Sequence, residues 1–411
     1  QQLAWDMLDV EVDTPTNTCS LPAFTAAEGS LNLGRLDATD TRQVVVAAYE
    51  ETVHFAANLF DVPLGTIGSK FVNLLTSLYK SFGERGAAEG IAIKAAMVAT
   101  QLLLQRPHRC LDQSEHRRLL QNRLILWEDG DLNQLVLEAR TIQDQIRAAS
   151  KHSSKQPKHQ DSARHFANLV TSGNLSAAAR TLSADHCHGV HSLDSMVGTE
   201  TVRDILKAKH PNAGPISATA VTFGRPPDAP HPVRFASINR DAIRKAALHT
   251  QGSAGPSGMD AGGWRRICTS FSKSSDALCD ALASTARRIA SSYVDPVALE
   301  AYVACRLIAL DKQPGVRPIG VGEIVRRIIG KAILSTVGEA IENAAGCLQL
   351  CGGQESGIEA AIHAMRTAYD QNDVEGVLFA DASNAFNSLN RQVCLQNIRH
   401  LCPEIAPALI N

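Results

Sequence analysis

A Gln313-Pro314-Gly315 turn separates two apolar runs, and this arrangement limits the folds open to the chain. The first run covers residues 303–310, and the second begins at Arg317. Two extended runs around a Pro-Gly turn are typical of a β-hairpin. We therefore expect a pair of strands in a chain whose other long segments look helical.

Those other segments carry the periodicity of amphipathic helices. Between residues 71 and 82, apolar side chains recur at spacings of three and four residues and form one stripe. Helices are predicted over residues 91–104, 115–127, 131–149, 241–249, 276–292, 324–342 and 355–369. The segment 91–104 contains Lys94 and is shorter than the roughly 20 apolar residues that span a bilayer. We predict a core helix there and no membrane partner.

The composition of the chain indicates its cellular compartment and limits how it could bind nucleic acid. The formal net charge is -2, so any grip on nucleic acid must come from local clusters of Lys and Arg. The ten cysteines include no Cys-x-x-Cys pair, which favours reduced thiols in an intracellular protein of the cytoplasm or nucleus. The chain runs from Gln1 to Asn411, and we interpret it as a fragment of a longer reading frame.

The first half of the chain divides into three predicted regions. Residues 1–45 are rich in Thr, Asp, Pro and Asn and predict a poorly ordered leader. Residues 46–150 predict a helical domain, in which Asp131 can cap the helix that follows it, and residues 151–235 predict a linker with short helices. Within that linker, adjacent ligands such as His186-Cys187-His188 rarely bind one tetrahedral ion, so a polar loop is favoured over a zinc site.

The most informative block for chemistry ends a short apolar run, Val377-Leu378-Phe379-Ala380, with Asp381. A buried strand is predicted there, with the carboxylate at its open end. Carboxylate and carbonyl oxygens suit Mg²⁺, and phosphoryl transfer uses two such ions. An aspartate at a strand end can equally cap the following turn, and the residues alone leave both alternatives open.

The block from Phe379 to Phe386 resembles motif A of reverse transcriptases. The resemblance implies that Asp381 is the catalytic metal ligand and that the carbonyl of Ala382 completes the metal shell. It implies that the backbone of Ser383, Asn384 and Ala385 lies along the triphosphate of the incoming nucleotide. Phe386, five residues after Asp381, would exclude a ribose 2′-hydroxyl and so select deoxynucleotides; the alternative is an ordinary core aromatic.

The predicted hairpin resembles the fingers hairpin of the same family. By that resemblance Lys312, before the turn, and Arg317, in an Arg-Pro-Ile triplet, bind the triphosphate of the incoming nucleotide. Lys supplies a point charge and Arg a planar pair of donors, which together suit a triphosphate. The alternative for either residue is an ordinary solvated charge.

Two further segments resemble this family in the same order along the chain. Gly255-Pro256-Ser257-Gly258 is similar to a turn that precedes a helix near the template, and Gly352-Gly353 begins a segment similar to the one that precedes motif A. Two helical segments carry clusters of basic residues, each of which could contact nucleic acid or could simply be solvated. The possible template-phosphate contacts are Arg326, Arg327 and Lys331. The possible RNA contacts are Arg117, Arg118 and Arg123.

Together these segments are similar to retrotransposon-type reverse transcriptases over residues 252–411. Helical periodicity predicts an all-α N-terminal region, and the resemblance implies that the α+β fingers and a partial palm follow it, so the predicted fold is mixed. The first reverse-transcriptase segment and the fingers would occupy residues 236–375. The palm, an antiparallel sheet backed by helices, would start with motif A in residues 376–411.

The activity that this resemblance implies is RNA-directed DNA synthesis by a nucleotidyltransferase. Its partners would be an RNA or DNA template with a primer and deoxynucleotide triphosphates, with two Mg²⁺ ions in the completed active site. The sequence contains no Asp-Asp pair, so the chain alone is expected to be inactive. The rivals are a non-catalytic nucleic-acid-binding scaffold or relic, and an RNA-making polymerase, which the aromatic Phe386 argues against.

Overall fold

A computed structural model of the chain places most of the sequence after residue 38. It describes residues 39–56, 58–86, 88–107, 112–152, 159–171, 178–179, 189–212, 216, 220, 232–312, 315–346, 349–350, 355–371, 374–382 and 384–411. Within these residues helices predominate, accompanied by two small antiparallel sheets. The mixture of α and β structure is as predicted, while the reverse-transcriptase fold itself stays a prediction.

Six of the described helices lie in the first 171 residues. They are α1 Thr39–Thr52, α2 Thr66–Gly83, α3 Ala92–Leu104, α4 Gln113–Asp129, α5 Leu132–His152 and α6 His159–Thr171. Helix α1 begins inside the predicted leader 1–45 and buries Val45 completely, because its apolar side chains pack into the core. The leader prediction is therefore wrong from Thr39 onward, and its first 38 residues lie outside the described part.

The apolar segment at α3 is a core helix, as predicted. Every residue of α3 is buried, including Lys94. The Lys94 ammonium forms an ion pair with Glu300 and lies 5.4 Å from the ring centroid of Tyr49. Burying a charge is costly unless it is paired, and these two contacts supply the compensation.

Helices α4 and α5 form a capped pair around Gly130. Oδ1 of Asp131 accepts a hydrogen bond from the Gln134 N–H at 3.1 Å, so the predicted cap is confirmed. Arg123 of α4 is neither solvated nor free for RNA, because it is buried against α3. It donates to the carbonyls of Leu103 and Gln105 at 3.1 and 2.7 Å.

Among the described residues, the middle of the chain adds five helices and a turn of 3₁₀ helix. These are α7 Val202–Lys209, the 3₁₀ segment Pro232–Phe235, α8 Arg240–His249, α9 Ala261–Thr269, α10 Lys273–Ser291 and α11 Pro296–Val303. Helix α10 packs along α2, and Thr285 of α10 donates to the Tyr79 carbonyl at 3.2 Å. One hydrophobic core joins the N-terminal helices to the segment predicted as fingers. The five-region division nevertheless stays a prediction.

The predicted hairpin is present, with a partner that the sequence did not reveal. Strands β4 Cys305–Asp311 and β5 Val316–Gly322 pair antiparallel, with Asp311 opposite Val316. Strand β1, Val190–His191, adds a third strand beside β4, and β2 Met196–Val197 pairs with β3 Glu200–Thr201. Helix α7 covers one face of β4 and β5. We call residues 189–209 and 305–322 together the hairpin unit.

The remaining helices follow the hairpin. They are α12 Ile324–Ala345, α13 Gly357–Tyr369, α14 Ala385–Ser388, α15 Arg391–Leu401 and α16 Ala406–Ile410. The side chain of Asn411 donates to the carbonyls of Ile289 and Ser292 at 2.9 and 2.8 Å, which ties the last residue to α10. No helix in the described ranges is long and apolar enough to cross a membrane.

The predicted buried strand before Asp381 is absent. Residues 374–382 are irregular, and Leu378 and Phe379 are 92% and 78% exposed. A strand needs a neighbour to accept and donate its backbone hydrogen bonds, and no strand of the described chain lies beside this segment. For the same reason the predicted palm sheet is not formed by the described residues of 376–411, which instead build α14 to α16.

Candidate functional site

The turn at Gly255 is buried and packs against another segment of the same chain. A Cβ built on Gly255 would lie 2.8 Å from the Cα and N atoms of Glu323 and from the carbonyl carbon of Gly322. Residues 254–257 are buried. The close approach that only glycine permits is therefore made to the point where β5 ends and α12 begins.

A buried carboxylate holds this turn in place. Glu323 accepts a hydrogen bond from the Ser257 N–H at 2.6 Å and another from the Ser257 Oγ at 2.7 Å. Burial raises the pKa of Glu323 to about 6, against the opposing effect of the two Ser257 hydrogen bonds and of the Arg327 and Arg306 charges. The turn and the base of the hairpin thus form one polar junction inside the core.

Basic residues complete the junction from outside. Arg327 donates to the carbonyls of Gln251 and Ser253 at 3.0 and 2.7 Å, and Lys331 donates to the His249 carbonyl at 2.7 Å. Arg306 of β4 reaches the Ala254 carbonyl at 3.1 Å. Arg327 is thus bonded to the segment that follows α8, and the exposed Lys331 to the last residue of α8, while contact with template phosphates stays a prediction. Arg326 is exposed.

Lys312 and Arg317 both lie near the tip of the hairpin and are exposed. The Lys312 N–H donates to the Gly315 carbonyl at 3.0 Å, which closes the turn, and Gly315 has a φ of 96°. Arg317 pairs across from Leu310, so its side chain leaves the sheet on the face opposite Val316. Within the described part of the chain neither cation forms an ion pair. Both are therefore accessible to an anion.

The predicted nucleotide loop lies beside α7. Asn384, with a φ of 52°, donates from Nδ2 to the Lys209 carbonyl at 2.7 Å. Ala382 is exposed, Ala385 begins α14, and Ser383 lies outside the described residues. This bond brings the end of the predicted motif A segment to the hairpin unit through the C-terminus of α7.

Asp381 and Phe386 both face solvent. Phe386 is 91% exposed, so the alternative of a core aromatic is wrong for this structure. The Asp381 carboxylate accepts no hydrogen bond from any described residue, so the turn-capping alternative has no support there. Exposure leaves both side chains accessible to a ligand, and their roles stay predictions.

The site residues are not assembled into one constellation. Across the described ranges, no hydrogen bond or ion pair joins Asp381 to Lys312 or Arg317, and no three His, Cys, Asp or Glu side chains converge as metal ligands. Asp381 and the Ala382 carbonyl offer two hard oxygen donors. Mg²⁺ is commonly held by one or two carboxylates with substrate phosphates and water. This donor set fits part of the shell of one ion and does not fit two.

Two features of the site could not be predicted from the sequence. Strand β1 has two residues, too few for any periodicity, and it joins the sheet only through β4. The contact between Asn384 and Lys209 links residues 175 positions apart, so no local pattern could predict it. The apolar spacing of Val202 and Leu206 was a usable signal, because it marks the face that packs on the hairpin. His186, Cys187 and His188 lie outside the described residues.

Comparisons with models of protein families, with curated proteins and with solved structures found no match to this chain. The resemblance to reverse transcriptases rests on the ordered motifs of the sequence and stays a prediction.

Proposed function

We propose that this chain belongs to an RNA-directed DNA polymerase, in which it supplies the fingers and the first catalytic aspartate. The observation that carries the proposal is the hairpin tip, where Lys312 and Arg317 are both exposed and form no ion pair with any described residue. Two free cations at one end of a rigid two-stranded hairpin suit a triphosphate. The ordered motifs over residues 252–411 supply the rest of the argument.

In this proposal each site residue has one task. Lys312 contributes a mobile point charge and Arg317 a bidentate contact to the phosphates of a deoxynucleotide triphosphate. Asp381 and the Ala382 carbonyl would hold Mg²⁺, and this ion would supply activation of a primer hydroxyl and neutralisation of charge on the phosphates. Backbone groups of residues 383–385 lie along the phosphates, and the Phe386 ring excludes a 2′-hydroxyl. The template is RNA or DNA with an annealed primer.

Catalysis requires more acidic ligands than this site provides. One carboxylate with one carbonyl cannot hold the two ions that phosphoryl transfer uses, so the 411-residue chain alone is proposed to bind nucleotide without extending a primer. The same observation favours a second candidate function, a non-catalytic nucleic-acid-binding scaffold. The two candidates differ in whether the chain binds deoxynucleotide through the hairpin tip.

A nucleotide titration tests the proposal. A fluorescent analogue of dATP with Mg²⁺ is titrated into wild type, Lys312→Ala and Arg317→Ala, with Lys70→Ala as a control at another exposed Lys. Each hairpin variant should bind about tenfold more weakly, because a charge-assisted hydrogen bond contributes roughly 1.5–3 kcal/mol. The control should bind like wild type. Wild-type affinity in both hairpin variants would contradict the proposal and favour the scaffold.

A further inference from the structure

Helix α13 carries an apolar stripe that nothing in the described chain covers. Ile358, Ile362, Met365 and Tyr369 are exposed, and Gly357 is the one buried residue of the helix. No described helix or strand packs extensively along α13. Single exposed apolar residues are ordinary, but four on one face of one helix mark an interaction surface.

The spacing of this stripe is that of a coiled-coil seam. The four positions are separated by four, three and four residues, which places them alternately at the d and a positions of a heptad. Under this register Glu359 and Arg366 both occupy e positions, one heptad apart. The two g positions are Ala361 and Ala368, which are uncharged and small.

The charges at the e positions select the partner and its direction. In an antiparallel pair of helices, e positions of one helix face e positions of the other. Two copies of α13 related by a two-fold axis would therefore place each Glu359 beside the Arg366 of the opposite copy. A parallel pair would set these charges against alanines at g. No ion pair within the described residues engages Glu359 or Arg366.

We propose that α13 mediates self-association of this chain, pairing antiparallel with α13 of a second copy. The seam places Ile358 against Tyr369 and Ile362 against Met365, and two symmetric Glu359–Arg366 pairs flank it. This is an isologous interface, in which each surface patch meets its own copy. One pair of 13-residue helices buries less than a typical stable interface, so the dimer is weak and concentration-dependent.

The test measures molecular mass by sedimentation equilibrium from about 1 to about 200 μM, a range suited to weak association. Wild type should move from monomer toward dimer. Glu359→Arg and Arg366→Glu should each weaken dimerisation by roughly tenfold or more, because both symmetric pairs become repulsive. The double variant should regain wild-type association. Glu339→Arg, at an exposed position of α12, is the matched control and should dimerise like wild type.

A mixing experiment makes the test independent of any effect on folding. Glu359→Arg carries two cations on its helix and Arg366→Glu carries two anions, so an equimolar mixture should form heterodimers although each variant alone stays monomeric. Ile362→Asp should remain monomeric both alone and when mixed with either charge variant. The melting curves of all variants should match that of wild type. Wild type that is monomeric at the highest concentration, or a dimer insensitive to the charges at 359 and 366, overturns the proposal. Neither result bears on nucleotide binding at the hairpin.

Discussion

The carboxylate of Glu323 accepts two hydrogen bonds from Ser257, one from the backbone N–H at 2.6 Å and one from Oγ at 2.7 Å. These residues are 66 positions apart, and their contact fixes the turn at Gly255 to the start of α12. The hairpin unit leaves the core at this junction. The orientation of Lys312 and Arg317 therefore depends on a buried polar contact at the base of the strands.

Gly255→Ala should destabilise the protein by about 1–3 kcal/mol, because the added Cβ meets backbone atoms of Glu323 that cannot move aside. Gly330→Ala in α12 is the matched control. A Cβ there meets nothing within 4 Å, so the substitution should raise stability by roughly 0.5–1 kcal/mol. Urea unfolding measures the free energy of unfolding of both variants. If the two substitutions changed it equally, the backbone contact at Gly255 would not be tight.

The Glu323 carboxyl should make stability fall as pH rises. Because its folded pKa is raised from 4.5 to about 6, the stability it contributes is fully present below pH 4.5 and is lost as pH rises through 6. Glu323→Gln does not ionise; its amide oxygen can accept from the Ser257 N–H, and its amide N–H can donate to Ser257 Oγ in place of the bond that the carboxylate accepts. Between pH 4.5 and 7, wild type should lose about 2 kcal/mol relative to this variant. If the free energy of unfolding depended on pH in the same way in both proteins, the raised pKa of Glu323 would be contradicted.

Leu206→Ala should release α7 from the hairpin without unfolding the main core. Leu206 is fully buried in a small cluster with Val202, Ala309 and Val316, which is separate from the main core. Removing its side chain costs about 2–5 kcal/mol locally. Hydrogen exchange should show lost protection in α7 and β1, with α2 and α10 unchanged. Leu334→Ala, at an exposed position of α12, should leave all of these rates alone.

Local patterns predicted the elements whose cause is local. The stripe in α2, the cap at Asp131 and the hairpin around Gly315 each depend on residues near one another in sequence, and the structure contains all three. The apolar run before Asp381 failed as a strand, because extended residues form a strand only when another strand is beside them. Sequence pattern cannot supply that neighbour.

Long-range contacts account for the rest of the discrepancies. Arg123 was expected at the surface, yet its guanidinium is buried and donates hydrogen bonds to the carbonyls of Leu103 and Gln105. Arg327 was predicted either to contact the template or to be solvated, and in the structure it binds the carbonyls of Gln251 and Ser253. Arg123 also forms an ion pair with Glu138 at 2.7 Å. Both arginines have backbone carbonyls among their partners, and backbone carbonyls leave no signature in residue identity.

Phe386→Ala should change nucleotide selectivity and leave stability unchanged. The ring is 91% exposed, so its loss removes little packing from the protein. In the proposed polymerase that contains this chain, assayed with primer and template, ribonucleotide incorporation should rise relative to deoxynucleotide incorporation by about tenfold or more, equivalent to roughly 1.4 kcal/mol. Phe379→Ala, at another exposed ring of the same segment, is the control. An unchanged ratio in Phe386→Ala would remove the argument for DNA synthesis.

Primer extension by the proposed polymerase that contains this chain, compared with its Asp381→Asn variant, tests the central claim most directly. The asparagine keeps the shape of the side chain and removes the charge that binds Mg²⁺. Extension on an RNA template should fall by far more than tenfold, a barrier increase well above roughly 1.4 kcal/mol. Primer-template affinity should stay nearly constant, because phosphate contacts elsewhere supply it. A variant that retains more than about a tenth of the wild-type rate would show that Asp381 is not the catalytic metal ligand.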